Sequence, residues 1–206
     1  MQMAWNENHI SLIGLVGGPT VKSHENHAIT YYQFPLRVSR LSGVEDTLNV
    51  VVSETQLAQV RVAPGMTMAI EGEVRSYNNR SGSGSKLVIT VYARSLAESD
   101  GEHRNELTLA GVICKPPVVR RTPLGREICD LMLAVNRKYG RADYLPCIAW
   151  GGLAAWCGQM TVGSGVKLFG RLQSREYTKE ENGQISKRTA FEVSVMSLEP
   201  VENLDI

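Results

Sequence analysis

The chain repeats itself once. NHISLIG at Asn8–Gly14 and NELTLAG at Asn105–Gly111 align at a shift of 97 residues, which also places Pro19 on Pro116, Leu36 on Leu133, Val38 on Val135, Arg40 on Arg137 and Asp46 on Asp143. One inserted residue then moves the match to a shift of 98, with Gly72 on Gly170 and Ser76 on Ser174. A longer second hairpin moves it to 102, with Leu96 on Leu198. Two copies at so long a period exclude a solenoid, which repeats more often over shorter units. They predict two small domains in 206 residues: residues 1–98, a polar linker at 99–104, residues 105–200, and a short tail at 201–206. Whatever fold one copy takes, the other must be able to take.

Each copy predicts strands. In the second, Leu107 and Leu109 open an alternating run that Lys115-Pro116-Pro117 breaks, and Thr122-Pro123-Leu124-Gly125 reads as a turn. Ile128 and then Leu131, Leu133 and Val135 mark a second strand, and the step from 128 to 131 predicts a bulge at Cys129-Asp130. Tyr144–Trp150 is the third strand. Leu153, Trp156, Cys157 and Met160 follow at helical spacing and predict one apolar face of a short helix, with Trp156 in the core. Val166–Ser174 is the fourth strand, Asn182-Gly183 a hairpin turn, and Phe191, Val193 and Val195 alternate along the fifth.

The first copy follows the same plan: Tyr32, Phe34, Leu36 and Val38 alternate, Val50 and Val52 belong to the next strand, and Leu57 and Val60 mark a shorter helix. Met68–Val74 and Leu87–Val91 supply its last two strands, with a flexible Ser/Gly run at 78–85 between them. Pro35 removes a ladder donor and predicts an edge or bulge. Five strands with a helix between the third and fourth is the order of the OB-fold, so the expected class is all-β with short helices, as two tandem OB-fold barrels.

Composition narrows the function classes. No apolar run approaches the ~18 residues of a spanning helix, and MQMAWNENHI lacks the basic and apolar regions of a signal peptide, so a cytoplasmic location without membrane contact is expected. Residues 1–98 hold 8 basic and 8 acidic side chains, whereas 105–199 hold 13 and 9, which points a polyanion at the second half. Cys114, Cys129, Cys147 and Cys157 make no CxxC pair and read as free thiols, so no metal is expected. His9, His24, His27 and His103 show no HExxH or triad spacing, and His24 and His27 read as a solvated turn. Gly163-Ser164-Gly165 lacks the GK[ST] of a phosphate loop, and Glu180-Glu181 reads as an exposed pair at a hairpin tip. Nothing in the pattern supports catalysis or a cofactor.

What remains is LAVNRKYGRADYLPCIAWG at Leu133–Gly151, where Tyr139, Tyr144 and Trp150 lie among Arg137, Lys138 and Arg141. If Leu145, Cys147 and Ala149 face the core, alternation turns Tyr144, Pro146, Ile148 and Trp150 outward. Ring faces beside cations suit a single-stranded nucleic acid, whose bases stack on the rings while the cations follow the phosphates.

Residues 105–199 resemble the DNA-binding domain of bacterial single-stranded DNA-binding proteins. The matching pieces are NELTLAG, the Arg121-Thr122 to Gly125 turn, LAVNR, DYLPCIAWGGLA, GVKLFGRLQSREY and RTAFEVSV, in that order. The resemblance implies base stacking at Tyr139, Tyr144, Trp150 and Tyr177. Together with the basic residues of this half it gives Arg121, Arg126, Arg137, Lys138, Arg141, Arg171, Arg175, Lys179, Lys187 and Arg188, along with Arg120, as candidate phosphate contacts. Sequence-independent binding of single-stranded DNA in replication, repair or recombination is the implied function. An RNA binder and an OB-fold protein-interaction scaffold are the alternatives. Family proteins act as four OB-folds, so a homodimer is expected, with replication or repair proteins as further partners. The first copy departs from the pattern: Ser42, Thr47 and Ser53 stand where the second has Tyr139, Tyr144 and Trp150, and Tyr77 alone resembles a stacking residue. It reads as an assembly or spacing domain, or as a weaker DNA contact. The end, Glu202-Asn203-Leu204-Asp205-Ile206, departs as well: it is only faintly acidic with almost no tail, so the enzyme recruitment that the resemblance implies through an acidic tip is not expected here.

Overall fold

The computed structural model describes residues 7–79, 85–137, 140–181 and 184–201, with every side chain there except those of Lys179, Glu181 and Gln184. The expected turn at Asn182-Gly183 and the centre of the Ser/Gly run lie outside the described residues. In chain order the elements begin β1 (Asn8–Val16), β2 (Val21–Asn26), β3 (Ile29–Ser39), β4 (Glu45–Ser53), α1 (Glu54–Gln59), β5 (Thr67–Asn78) and β6 (Leu87–Glu98). They continue β7 (Arg104–Ile113), β8 (Val118–Arg121), β9 (Glu127–Asn136), β10 (Ala142–Trp150), α2 (Gly152–Cys157), β11 (Gly165–Glu181) and β12 (Gln184–Pro200). Two compact units result: His9–Glu106 with Gln173–Ala190, and Met1–Asn8 with Leu107–Leu172 and Phe191–Ile206.

In the N-terminal barrel the strand order is β2-β3-β4-β6-β5-β1, and β1 returns to β3 at Leu15↔Arg37 and Val16↔Leu36. In the C-terminal barrel the order is β7-β11-β12-β10-β9-β8, closed where β7 meets β9 at Val112↔Ala134 and Ile113↔Leu133. With a helix between the third and fourth long strands, each is an OB-fold. The duplication holds at the level of single residue pairs. Ile10 pairs with Gly72 and Leu107 with Gly170; Val50 pairs with Val91 and Cys147 with Val193; Tyr31 pairs with Ser53 and Ile128 with Trp150. Those offsets are the shifts of 97, 98 and 102 that the sequence shows.

Alternation builds each core: Phe34, Leu36, Leu48, Val50 and Ile70 are buried in one barrel, and Leu107, Leu109, Leu133, Leu145 and Leu168 in the other. Such side chains contribute about 1.5–3 kcal/mol each on full burial. Closure needs a backbone approach that only glycine permits. A Cβ on Gly14 would lie 2.5 Å from the Arg37 carbonyl oxygen, and one on Gly111 would lie 2.4 Å from that of Ala134.

Pro35 makes no bulge in the β3–β4 ladder, where it pairs with Asn49. It falls where β3 leaves β2 after Gln33 and meets β1 at Leu36, so no partner there needs its missing N–H, and its carbonyl accepts from Gly17 N at 2.8 Å. The bulge expected at Cys129-Asp130 is absent too. The β9 ladders to β8 and β10 run through both residues without a shift. Ile128 and Cys129 are both buried although alternation turns them to opposite faces: Ile128 pairs across the ladder with Trp150, whereas Cys129 pairs with Val119, against which Gly158, the C-cap of α2, lies. Helix α2 also corrects the expected apolar face. It ends after six residues and buries Ala154 and Cys157, which leaves Trp156 37% exposed and Met160 beyond the helix. The Thr122–Gly125 turn forms as expected, with Gly125 in the left-handed region at φ 77°, and the short strands β2 and β8 are additions to the expected five per copy.

Candidate nucleic-acid interface

Strand β10 carries the platform. Leu145, Cys147 and Ala149 are sealed in the core, while Tyr144 is 50% and Trp150 38% exposed on the opposite face. Tyr144 sits across from Ala134, a neighbour with a single methyl group. Six residues of strand separate the two rings by about 20 Å, so they address different nucleotides. The outward row is not open throughout: Ile148, expected outward with them, is 5% exposed, and Pro146 is half-buried.

The hairpin before β10 is held by a buried ion pair. The Asp143 carboxylate is fully buried and accepts from Arg137 Nε at 2.7 Å and from its Nη2. Arg40 and Asp46 repeat this in the other barrel, with Nε–Oδ2 at 2.7 Å and Nη2–Oδ1 at 2.6 Å. A buried carboxylate requires a paired cation with matched geometry, and the guanidinium fork supplies it. Arg137 is thus part of the hairpin's frame, unlike a solvent-facing phosphate contact. Tyr139 and Lys138 lie outside the described residues.

Of the other cations, Arg121 and Arg126 are exposed around the β8–β9 turn, and Arg141 is exposed just before β10. Arg120 pairs with Asp130, Nη2–Oδ1 3.1 Å, and this hydrogen bond raises its already high pKa. Arg171 is half-buried on β11. The remaining predicted residues belong to the other compact unit: Arg175, whose guanidinium lies 5.8 Å from the centroid of the half-buried Tyr177 ring, exposed Lys187 and half-buried Arg188. The predicted rings are accordingly divided, with Tyr144 and Trp150 in one unit and Tyr177 in the unit of residues 9–106. Within that unit Ser174, three residues before Tyr177, donates its N–H to Asp46 Oδ1 at 2.8 Å and accepts from Thr47 N at 3.1 Å.

The N-terminal counterparts have other tasks. Ser53, at the place of Trp150, is the N-cap of α1: its hydroxyl accepts from Gln56 N at 3.3 Å, and Gln56 Oε1 accepts from Ser53 N at 2.9 Å. That capping box satisfies helix donors which α2, capped by Gly151, leaves without a side-chain partner. Tyr77 is exposed, as a stacking residue requires. Tyr31 and Tyr92 stand outside the predicted site, and His24 is not in the solvated turn that the sequence predicts. His24 lies on β2 and stacks on Tyr31, and the signal was the doubled Tyr31-Tyr32, which must turn one ring outward.

All four cysteines are free; burial raises every one of their pKa values, that of Cys157 to about 11. Among the described residues no three His, Cys, Asp or Glu side chains cluster to hold a metal, and no helix is long and apolar enough to cross a membrane.

The single-strand binding protein family profile matches residues 104–201. The single-stranded DNA-binding protein of Halalkalibacterium halodurans is 30% identical over 103 residues, covering 47% of this chain and 61% of that protein. Single-stranded DNA-binding protein B of Bacillus subtilis is 33% identical over 110 residues, covering 48% of this chain and 95% of that protein. The chain belongs to the single-strand binding protein family. It spans about three-fifths of the length of several other relatives it matches. In architecture it resembles the crystal structure of the wild-type single-stranded DNA binding protein from Thermus aquaticus, with a TM-score of 0.79 and 22% identity, over 97% of this chain and 95% of that one. At that identity the likeness speaks to fold, and it extends through both barrels.

Proposed function

We propose that the protein binds single-stranded DNA with little regard to sequence, and that the C-terminal barrel supplies the principal surface. The observation that carries this is the outward pair Tyr144 and Trp150 on a strand whose other face is sealed in the core, with exposed Arg121, Arg126 and Arg141 nearby in sequence or ladder. Exposed aromatics stack on any base, each contributing about 1–3 kcal/mol, and the arginines neutralise phosphates. Tyr139 and Tyr177 also stack on bases in this reading, with Lys138, Arg171, Arg175, Lys179, Lys187 and Arg188 as further phosphate contacts. Arg137 is excluded, because its guanidinium is engaged by the fully buried Asp143 and its side chain is only 24% exposed. The chain acts as a homodimer of four barrels, in keeping with the two-fold symmetry commonest among oligomers. Sedimentation showing monomer alone at micromolar concentration would remove that part.

Titrating tryptophan fluorescence with single-stranded DNA, matched RNA and duplex DNA over a range of salt tests the reading. Quenching by single strands, weakening steeply with salt, with duplex far weaker, is expected. Tighter binding of RNA would shift the assignment to that partner, and weak binding of every oligomer would favour a protein-interaction scaffold.

A further inference from the structure

The N-terminal barrel has lost the rings of β10 but has gained others one strand away. In the C-terminal barrel the row Arg120↔Ile128↔Trp150 crosses β8, β9 and β10. The corresponding row, His24↔Tyr31↔Ser53, crosses β2, β3 and β4. A register shift between Lys22 and His24 brings His24 into the place of Arg120. Where one barrel has its ring on the third strand of the row, the other has rings on the first two.

These rings form a column. His24 stacks on Tyr31 with centroids 4.8 Å apart and planes 10° from parallel. Tyr31 meets Tyr92 of β6 at 5.7 Å, with Tyr92 Oη donating to Tyr31 Oη at 3.0 Å. The Arg94 guanidinium lies 5.1 Å from the Tyr92 centroid and bonds to Glu73 at 2.9–3.2 Å. Tyr31, at 8% exposure, is the covered centre, whereas His24 and Arg94 are exposed at the two ends. The outer face of His24 thus continues a ready-made stack, with a cation at the other end of the column.

We propose that this column is a second single-stranded DNA site, with an unpaired base stacking on His24 and a phosphate farther along the same strand at Arg94. It rests on the single-stranded DNA reading above and, of the roles the sequence leaves open to the N-terminal barrel, assigns it DNA contact. A column fixed in advance by Tyr31 and Tyr92 offers its terminal ring without ordering cost, which favours stacking there. Polyanion access is also favoured by the guanidinium of Arg94, which shares Glu73 with Arg75 and keeps its side chain about half exposed.

The full chain tests this in two ways. Substituting His24→Ala with Arg94→Ala, both away from the core, should weaken binding of a ~30-nucleotide single strand by about five- to tenfold, and of a ~10-nucleotide strand by twofold at most, since one OB-fold occupies roughly 4–16 nucleotides. Photocrosslinking the unaltered protein to an iododeoxyuridine-substituted oligomer should place adducts within residues 21–31 or 87–98. Unchanged affinity for the long strand in the double variant, or adducts confined to the C-terminal barrel, would overturn the proposal, even if the variant melts earlier. Tyr144→Ala with Trp150→Ala, measured in parallel, separates the two failures. If that variant loses affinity, only the second site falls; if it too binds normally, the stacking account itself is wrong.

Discussion

The N-terminal barrel puts Ser42, Thr47 and Ser53 where the C-terminal barrel puts Tyr139, Tyr144 and Trp150, yet both fold the preceding hairpin around the same buried arginine–aspartate pair. Closure glycines, cross-strand register and the parallel pairing of the third long strand with the fifth are likewise kept. At the last two of the three ring positions the side chains that differ lie off the core: Thr47, Tyr144 and Trp150 are exposed and Ser53 is half-buried. A duplicated barrel is constrained wherever a residue is buried or sets the ladder, and free wherever it meets solvent; what one copy retains outside the core therefore reports function.

The largest effects should fall on what the barrels share. Asp46→Ala and Asp143→Ala each leave a part-buried guanidinium without its buried partner and should cost about 1.5–3 kcal/mol in urea denaturation. Asp46 should cost the more, because it also accepts from Ser174. A full loss at one aspartate and none at the other would break the equivalence of the two frames.

Next come the residues that differ. Thr47→Tyr with Ser53→Trp, which copies the C-terminal rings into the N-terminal barrel, should tighten binding of a long single strand about tenfold, given ~1–3 kcal/mol per stacked base. The lost N-cap should cost about 0.5–2 kcal/mol of stability. Unchanged affinity would mean that ring placement is not what separates the barrels.

Smaller still, Arg121→Ala and Arg126→Ala should each flatten the log–log salt dependence of single-strand binding by about 0.7. Arg137→Ala should instead lower the melting temperature, since its guanidinium serves Asp143. A flatter salt slope without loss of stability in Arg137→Ala would return it to the phosphate contacts.

The smallest effect lies at alkaline pH. Burial, and then the hydrogen bond to Tyr31, push the Tyr92 phenol up from 10.0 to about 12. A folded-state pKa raised in this way contributes stability below pH 10 that is lost as pH rises through about 12. Tyr92→Phe should remove this alkaline loss in melting curves; Ser194 stands at the matching place in the C-terminal barrel, so nothing comparable is expected there. An unchanged alkaline limb would contradict the assignment.

Much of the fold was legible because it depends on short-range regularities. The repeat at Asn8–Gly14 and Asn105–Gly111 fixed the copy number, and alternation at Leu145, Cys147 and Ala149 separated the two faces of β10. Misplaced features involve a second layer or a partner distant in sequence. Cys129 and Trp156 depend on how α2 lies over β9, and Ile148 is covered despite its outward register. Arg137 reads as a free cation until its hairpin closes on Asp143. Neither Tyr177's place in the unit of residues 9–106 nor the bulge that sets His24 against Tyr31 has a local signature.

The central claim is that the exposed rings of β10 are what the C-terminal barrel uses to hold unpaired DNA. Measuring the affinity of one pyrimidine oligomer for Tyr144→Ala with Trp150→Ala, beside Thr47→Ala with Ser53→Ala, tests it most directly. Folding is checked in both by circular dichroism. A loss of tenfold or more in the first variant and little change in the second is the expected result. Equal affinities in the two would contradict it.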